Sequence, residues 1–442
     1  MLGDKRGMTL VLSVMFVLLI SLSGKALARE PRVITPAILS GPEFPIGLWW
    51  PPPPEATTSE RYLQIKEAGF NFVIGGNRTV DKEYSQRMLA AAEANQMRAI
   101  VTDERVTGRS FSHRYLDEER HHLTSVVDDY ASFDSFAGLN LFDEPATSYF
   151  KSLALATDVL FDLDPHLLSY VNLYPSYVTS GALHADSYEE YVRRFIDEVN
   201  PQVLSFDHYP LLDDGERITA DYFYNWAVIR QAALQAGIPP WIFIQSVDYN
   251  NHRLPSEAEI LWQINVSLAY GAKGIMYFTY WTPGAGRERF GTALVTPWEY
   301  PTPLYTYAQR ANAYLASVGG ILLELGSESV QHKEDPLPRG ALPFRADQWL
   351  SGVEGSPLII GRFQAPSPPL STDGNEADQR WVLVVNRSFS SPAQSVITMG
   401  EAVREVKRHD PVSGGYVSVA VDVDRTIEVQ LPPGGAVLYL VK

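Results

Sequence analysis

The chain has 442 residues, is 45% hydrophobic and 12% aromatic, and carries a formal net charge of −16. That apolar content supports a large core and excludes global disorder, and the length accommodates two domains. The acidity argues against nucleic acid or an anionic membrane as a partner, and the absence of cysteine excludes disulfides, a thiolate metal site and a cysteine nucleophile.

The first segment reads as an export signal over residues 1–28. Lys5 and Arg6 supply the positive region, Met8 to Leu22 the apolar region, and Ala26-Leu27-Ala28 a small-x-small cleavage pattern. An exported bacterial-envelope or secreted protein is expected, with no membrane attachment once the signal is removed, because no later apolar run is long enough to span a bilayer.

Eight strand-like runs follow, at Phe44–Trp50, Phe70–Gly75, Arg98–Thr102, Gly138–Phe142, Leu168–Leu173, Val203–Phe206, Trp241–Ile244 and Gly274–Tyr280. They are short and apolar without clean alternation, as expected of parallel strands buried on both faces. Amphipathic helical patterns alternate with them at 60–68, 82–95, 114–132, 147–163, 186–199, 219–236, 256–270 and 304–318. Eight strands alternating with eight helices predict a (β/α)₈ TIM barrel over 29–325. An open doubly wound sheet lacks its Gly-x-Gly-x-x-Gly turn after the first strand.

The composition changes after Leu325. Residues 326–442 are rich in Pro, Gly, Val, Ser and Thr, with strand runs at Pro357–Phe363, Trp381–Asn386, Ala393–Met399, Gly415–Val421, Thr426–Leu431 and Ala436–Leu440. This predicts a C-terminal antiparallel β-sandwich, interrupted by a proline-rich and then acidic loop over Gln364 to Gln379.

Barrel chemistry sits at the C-terminal ends of the strands. There the sequence offers Trp49 and Trp50, Asn77 and Arg78, Asp103 to Arg105, Asp143 and Glu144, Asn172 and Tyr174, Asp207 to Tyr209, Gln245 and Asp248, and Tyr280 and Trp281. Carboxylates and amides bind sugar hydroxyls in pairs, and Trp and Tyr stack on the apolar faces of pyranose rings. Cleaving a glycosidic bond needs two carboxyl groups. Asp103 and Glu104 also have a structural reading, as ion-pair partners of Arg78 or Arg105. Glu144, directly before Pro145, has no evident folding role and is the leading catalytic candidate. No Gly-x-Ser-x-Gly elbow or zinc spacing occurs, and with a single His on the lip no metal and no cofactor is expected.

On these residues the stretch from about 40 to 320 resembles the clan A glycoside hydrolases. In that clan the fourth strand ends in Asn-Glu-Pro with the Glu as acid/base; here it reads Asp143-Glu144-Pro145. The sixth strand often carries His or Tyr near its end, matching Asp207-His208-Tyr209, and the eighth often ends in a Trp floor, matching Tyr280-Trp281. Two departures stand out. Asp143 replaces the Asn that binds the sugar 2-hydroxyl, and the seventh strand delivers Gln245 where a nucleophilic Glu belongs. An amide cannot form a glycosyl-enzyme ester.

The expected function is therefore hydrolysis of O-glycosidic bonds in an oligo- or polysaccharide. Glu144 is the acid, held protonated by Asp143 and Asp207, and Asp207 is the second carboxyl group that activates water. Asp143, Asn172, Tyr174, His208, Tyr209 and Gln245 are expected to bind hydroxyls, and Trp50, Tyr280 and Trp281 to line the sugar site. A sugar-binding protein without turnover, and a barrel lyase or epimerase acting on uronic sugars, are the alternatives. The sugar, the linkage and the oligomeric state are not written in the sequence.

Overall fold

The computed structural model describes residues 35–77, 79–215, 217–284, 286, 288–366 and 379–442. The signal expected at 1–28, Arg78 and most of the 364–379 loop lie outside the described residues. Eight parallel strands close into a barrel: β1 (Ile46–Trp49), β2 (Phe72–Ile74), β3 (Arg98–Val101), β4 (Phe136–Asp143), β5 (Leu168–Leu173), β6 (Leu204–Asp207), β7 (Pro240–Gln245) and β8 (Gly274–Phe278). The sheet closes through β8 on β1, with Trp49 opposite Phe278.

Helices follow the strands as α1 (Ser59–Glu67), α2 (Lys82–Ala94), α3 (Leu116–Asp128), α4 (Phe150–Leu163), a short α5 (Ser180–Leu183), α6 (Tyr188–Val199), α7 (Tyr222–Ala236), α8 (Glu257–Ala269) and α9 (Pro303–Leu323). Their starts are set locally. The side chains of Thr58, Asp81, Ser187 and Ser256 each accept a hydrogen bond from a backbone N–H of the first turn, and Ser256 with Glu259 forms a reciprocal capping box. Phe72, Tyr170, Trp241, Phe243 and Met276 fill the barrel, while outward-facing residues such as Leu48, Leu141 and Ile244 pack under the helices.

Past α9 the chain forms two antiparallel sheets. One, in the order β10-β13-β16, contains β10 (Leu350–Gly355), β13 (Ala393–Met399) and β16 (Thr426–Leu431). The other, β15-β14-β17-β12-β11-β9, contains β9 (Gly326–Lys333), β11 (Leu358–Gln364), β12 (Arg380–Asn386), β14 (Val406–His409), β15 (Tyr416–Ser418) and β17 (Ala436–Val441). Leu358 and Ile360 face the smaller sheet, whereas Ile359, Leu383 and Val385 join the barrel's outer core. The central strands β11 and β12 of the larger sheet are thus buried on both faces, and β-strand alternation sends successive residues to different neighbours. Trp262 Nε1 donates to Arg387 O at 3.0 Å and Asn265 Nδ2 to Gly434 O at 2.9 Å, tying α8 to this sheet. From residue 35 onward the described residues form one compact unit.

Candidate active site

The end of β4 sets the site. Leu141 and Phe142 both pack under the helices, because the register slips by one residue between Asn140 and Phe142. Such a bulge reverses the facing of everything after it. It pairs Asp143 with Asn172, an inward position of β5 two residues beyond Tyr170. Glu144 then adopts φ 55°, a left-handed conformation uncommon for a residue with a side chain, while its N–H donates to Asn172 O at 2.8 Å.

Asn172 joins two carboxyl groups. Its Nδ2 donates to Asp207 Oδ1 at 2.8 Å and lies 3.2 Å from Asp143 Oδ1. Its Oδ1 accepts from Ser205 Oγ at 3.1 Å, and Ser205 in turn is 2.8 Å from the Tyr170 hydroxyl. This buried chain fixes which end of the carboxamide faces the acids. Asp207 and Asn172 are nearly inaccessible, whereas solvent reaches Asp143 even though the barrel encloses it, which describes a carboxyl in a recess.

Enclosure raises Glu144, Asp207 and Asp143. Burial and then the Asp207, Asp143 and Glu288 charges push Glu144 up to about 9. Burial and the Asp143 charge push Asp207 up to about 8, against the Asn172 hydrogen bond. Burial lifts Asp143 less, to about 6, with Asn172 again opposing. Protons on the first two therefore belong to the pair as a unit. Glu144 carries one at neutral pH, as a general acid requires.

Aromatic residues wall the recess. Tyr209 stacks on Phe278 with ring centroids 5.1 Å apart, and Tyr249, Phe290, Trp49 and Trp50 continue the cluster. Trp50 is half-buried, and its buried indole N–H has no partner among the described residues. Tyr174 is half-buried, and burial and then the Glu144 charge raise its phenol.

Four sequence expectations are corrected. His208 is fully buried, with Nδ1 2.8 Å from Asn225 Oδ1 and Nε2 2.6 Å from Thr219 Oγ1, and burial lowers it to about 4; it is a satisfied core histidine. Gln245 is fully buried too. Its Oε1 accepts from Leu211 N at 3.1 Å and its Nε2 donates to Arg253 O at 2.8 Å, so it pins the loops after β6 and β7. Tyr280 and Trp281 lie past the end of β8 in the core beneath the helices, where Tyr280 meets Phe70 edge-on. The aromatic that β8 offers inward is Phe278. Asp103 takes its structural reading: Arg105 Nη2 donates to it at 2.7 Å, while Arg105 Nη1 donates to Asp129 at 2.8 Å.

Sequence reasoning missed Tyr177, Glu288 and Phe290. Tyr177, in the loop after β5, sets its ring 5.1 Å from His208, is 47% exposed, and feels the Asp207 and Glu144 charges. The only available signal was an aromatic in a loop after a barrel strand.

No family model matches the sequence, and no curated protein matches it. Solved structures do. A beta-galactosidase from the psychrophilic Marinomonas ef1 is 12% identical at TM-score 0.50; the match covers 64% of this chain and 62% of that one, so this chain spans under two thirds of that protein. A family 39 glycoside hydrolase from Bacteroides cellulosilyticus WH2 matches at TM-score 0.52 and 12% identity over 92% of this chain and 83% of its own. A beta-galactosidase from Rahnella sp. R3 matches at TM-score 0.56 and 9% identity over 92% and 100%. At such identities the likeness is one of fold: a (β/α)₈ barrel followed by a C-terminal sheet domain, as in these glycoside hydrolases.

Proposed function

We propose that the protein is an exported glycoside hydrolase that cleaves O-glycosidic bonds of an oligo- or polysaccharide. The observation that carries this is Glu144, a carboxyl at the fourth-strand lip beside Asp143 and Asp207, where burial and those charges favour its protonated form. A protonated carboxyl beside a second, ionised one is the pair that glycoside cleavage needs. Glu144 gives its proton to the leaving glycosidic oxygen.

We assign the second role to Asp143, in place of the Asp207 expected from the sequence. Asp143 is open to solvent and the least raised of the three, so it is the acid that is ionised when Glu144 is not. Asp207, buried and held by Asn172, keeps the pair in position and adds to the field on Glu144. Tyr209, Tyr174, Tyr177 and Trp50 supply the aromatic and hydrogen-bonding surface for the sugar.

A screen of soluble polysaccharides with reducing-end detection tests this reading. Release of reducing ends supports it, and tight binding without release favours the non-hydrolytic alternative. Export is part of the proposal; it requires a mature chain that begins at Arg29, which N-terminal sequencing of the secreted fraction reads directly.

A further inference from the structure

Among the described barrel residues, four aromatic side chains are exposed: Tyr115, Tyr177, Trp298 and Tyr300. All four lie on segments that follow strands, at the end of the barrel that carries Glu144. Trp298 at 76% and Tyr300 at 70% are by far the most open. Large aromatics left in water are costly to keep without a use, and two on one turn form a patch.

The turn that presents them is rigid. Val295 bridges Pro301 across it, Thr296 N donates to Tyr300 O at 2.9 Å, and Tyr300 N donates to Thr296 Oγ1 at 3.1 Å. Glu299, between the two aromatics, has φ 70°. The Arg61 guanidinium, from the first turn of α1, bonds both the Glu299 carboxylate and its carbonyl. The turn is also continuous with the lip. Val295 N donates to Tyr280 O at 2.9 Å, Thr282 N to Val295 O at 2.8 Å, and Trp281 N to Trp50 O at 3.0 Å. Trp50 belongs to the aromatic wall of the recess.

We propose that the 296–300 turn is a distal glycan subsite, in which Trp298 and Tyr300 stack on a pyranose unit of the same polysaccharide whose bond is cut beside Glu144. The inference rests on the hydrolase reading and deepens it: the substrate is a polymer long enough to reach from the recess to the rim. Preorganised aromatic faces bind sugar rings with little loss of entropy, and the net charge of −16 argues against an anionic lipid surface as the occupant.

The test is affinity electrophoresis in gels containing galactomannan, mixed-linkage β-glucan or arabinogalactan, with Glu144→Gln as the background so that the gel is not degraded. At least one polysaccharide is expected to retard this variant. Adding Trp298→Ala and Tyr300→Ala is expected to weaken retardation about ten-fold, as the loss of one good stacking contact does. The thermal melting curve should be unchanged, because neither side chain is packed. Equal retardation with and without the two aromatics overturns the proposal, as does no retardation in any gel. So does a loss of self-association on sedimentation with retardation intact, which would make the turn a contact between copies. Retardation that depends on the turn, in a protein that releases no reducing ends, would retain the subsite and sink the hydrolase reading. Hydrolysis without such dependence would do the reverse.

Discussion

The carboxamide of Asn172 donates to Asp207 at 2.8 Å, and the same nitrogen lies 3.2 Å from Asp143. One donor thus serves two acids and opposes the rise in both. Replacing Asn172 with Ala removes it, so both acids become harder to ionise. The acid limb of the kcat/KM profile should move to higher pH, read against a control at Tyr174→Phe. A profile that falls in height without moving would assign Asn172 to packing alone.

Asp143→Asn and Asp207→Asn separate the two candidate partners of Glu144. If Asp143 works opposite Glu144, its amide variant should lose about 10²–10⁴-fold in kcat/KM, the range of an acid–base contribution. Asp207→Asn, which keeps a hydrogen-bonding group beside Asn172, should lose less. The reverse order would return the role to Asp207.

The raised acids also weaken the fold as pH rises. Glu144 and Asp207 ordinarily titrate at 4.5 and 3.8, and in the native protein they are pushed up to about 9 and about 8. Between those limits the unfolded chain has released protons that the native state still holds. Stability is therefore highest below the ordinary values and falls as pH climbs toward 8 to 9. Glu144→Gln removes one such group. Its Tm should match wild type at pH 4 and exceed it by about 2 °C or more at pH 8, measured by calorimetry.

Gln245 stands where the resemblance to clan A hydrolases implies a nucleophile, yet converting it to Glu should not create one. A carboxylate there would face the carbonyls of Arg253 and Leu211 in a fully buried position. An unpaired buried charge costs about 3–5 kcal/mol, or the group stays protonated. Gln245→Glu is expected to melt lower than wild type and to gain no activity; a faster, equally stable variant would contradict this.

Much of the architecture was legible. Leu168–Leu173, Ala393–Met399 and Thr426–Leu431 have the same limits in sequence and structure, because a largely apolar run in the first and inside–outside alternation in the other two leave little choice. β9, with the polar sequence Gly326–Lys333, β10 and the short β14 lie outside the expected strand runs, since their pairing with neighbours supplies what their composition lacks. At the lip, sequence placed residues at strand ends but could not give their facing. The bulge that turns Asp143 inward leaves no mark in Asn140-Leu141-Phe142. His208 and Gln245 were consumed by loops that contact them from far along the chain, through Thr219, Leu211 and Arg253. Trp281 fell outside β8, which ends at Phe278, so its side chain joined the outer core.

The most direct measurement is the rate of reducing-end release from a polysaccharide that the wild type cleaves, repeated with Glu144→Gln. With Glu144 as the general acid, the variant should lose about 10²–10⁴-fold in rate while remaining folded. An undiminished rate would contradict that role and with it the account of the site.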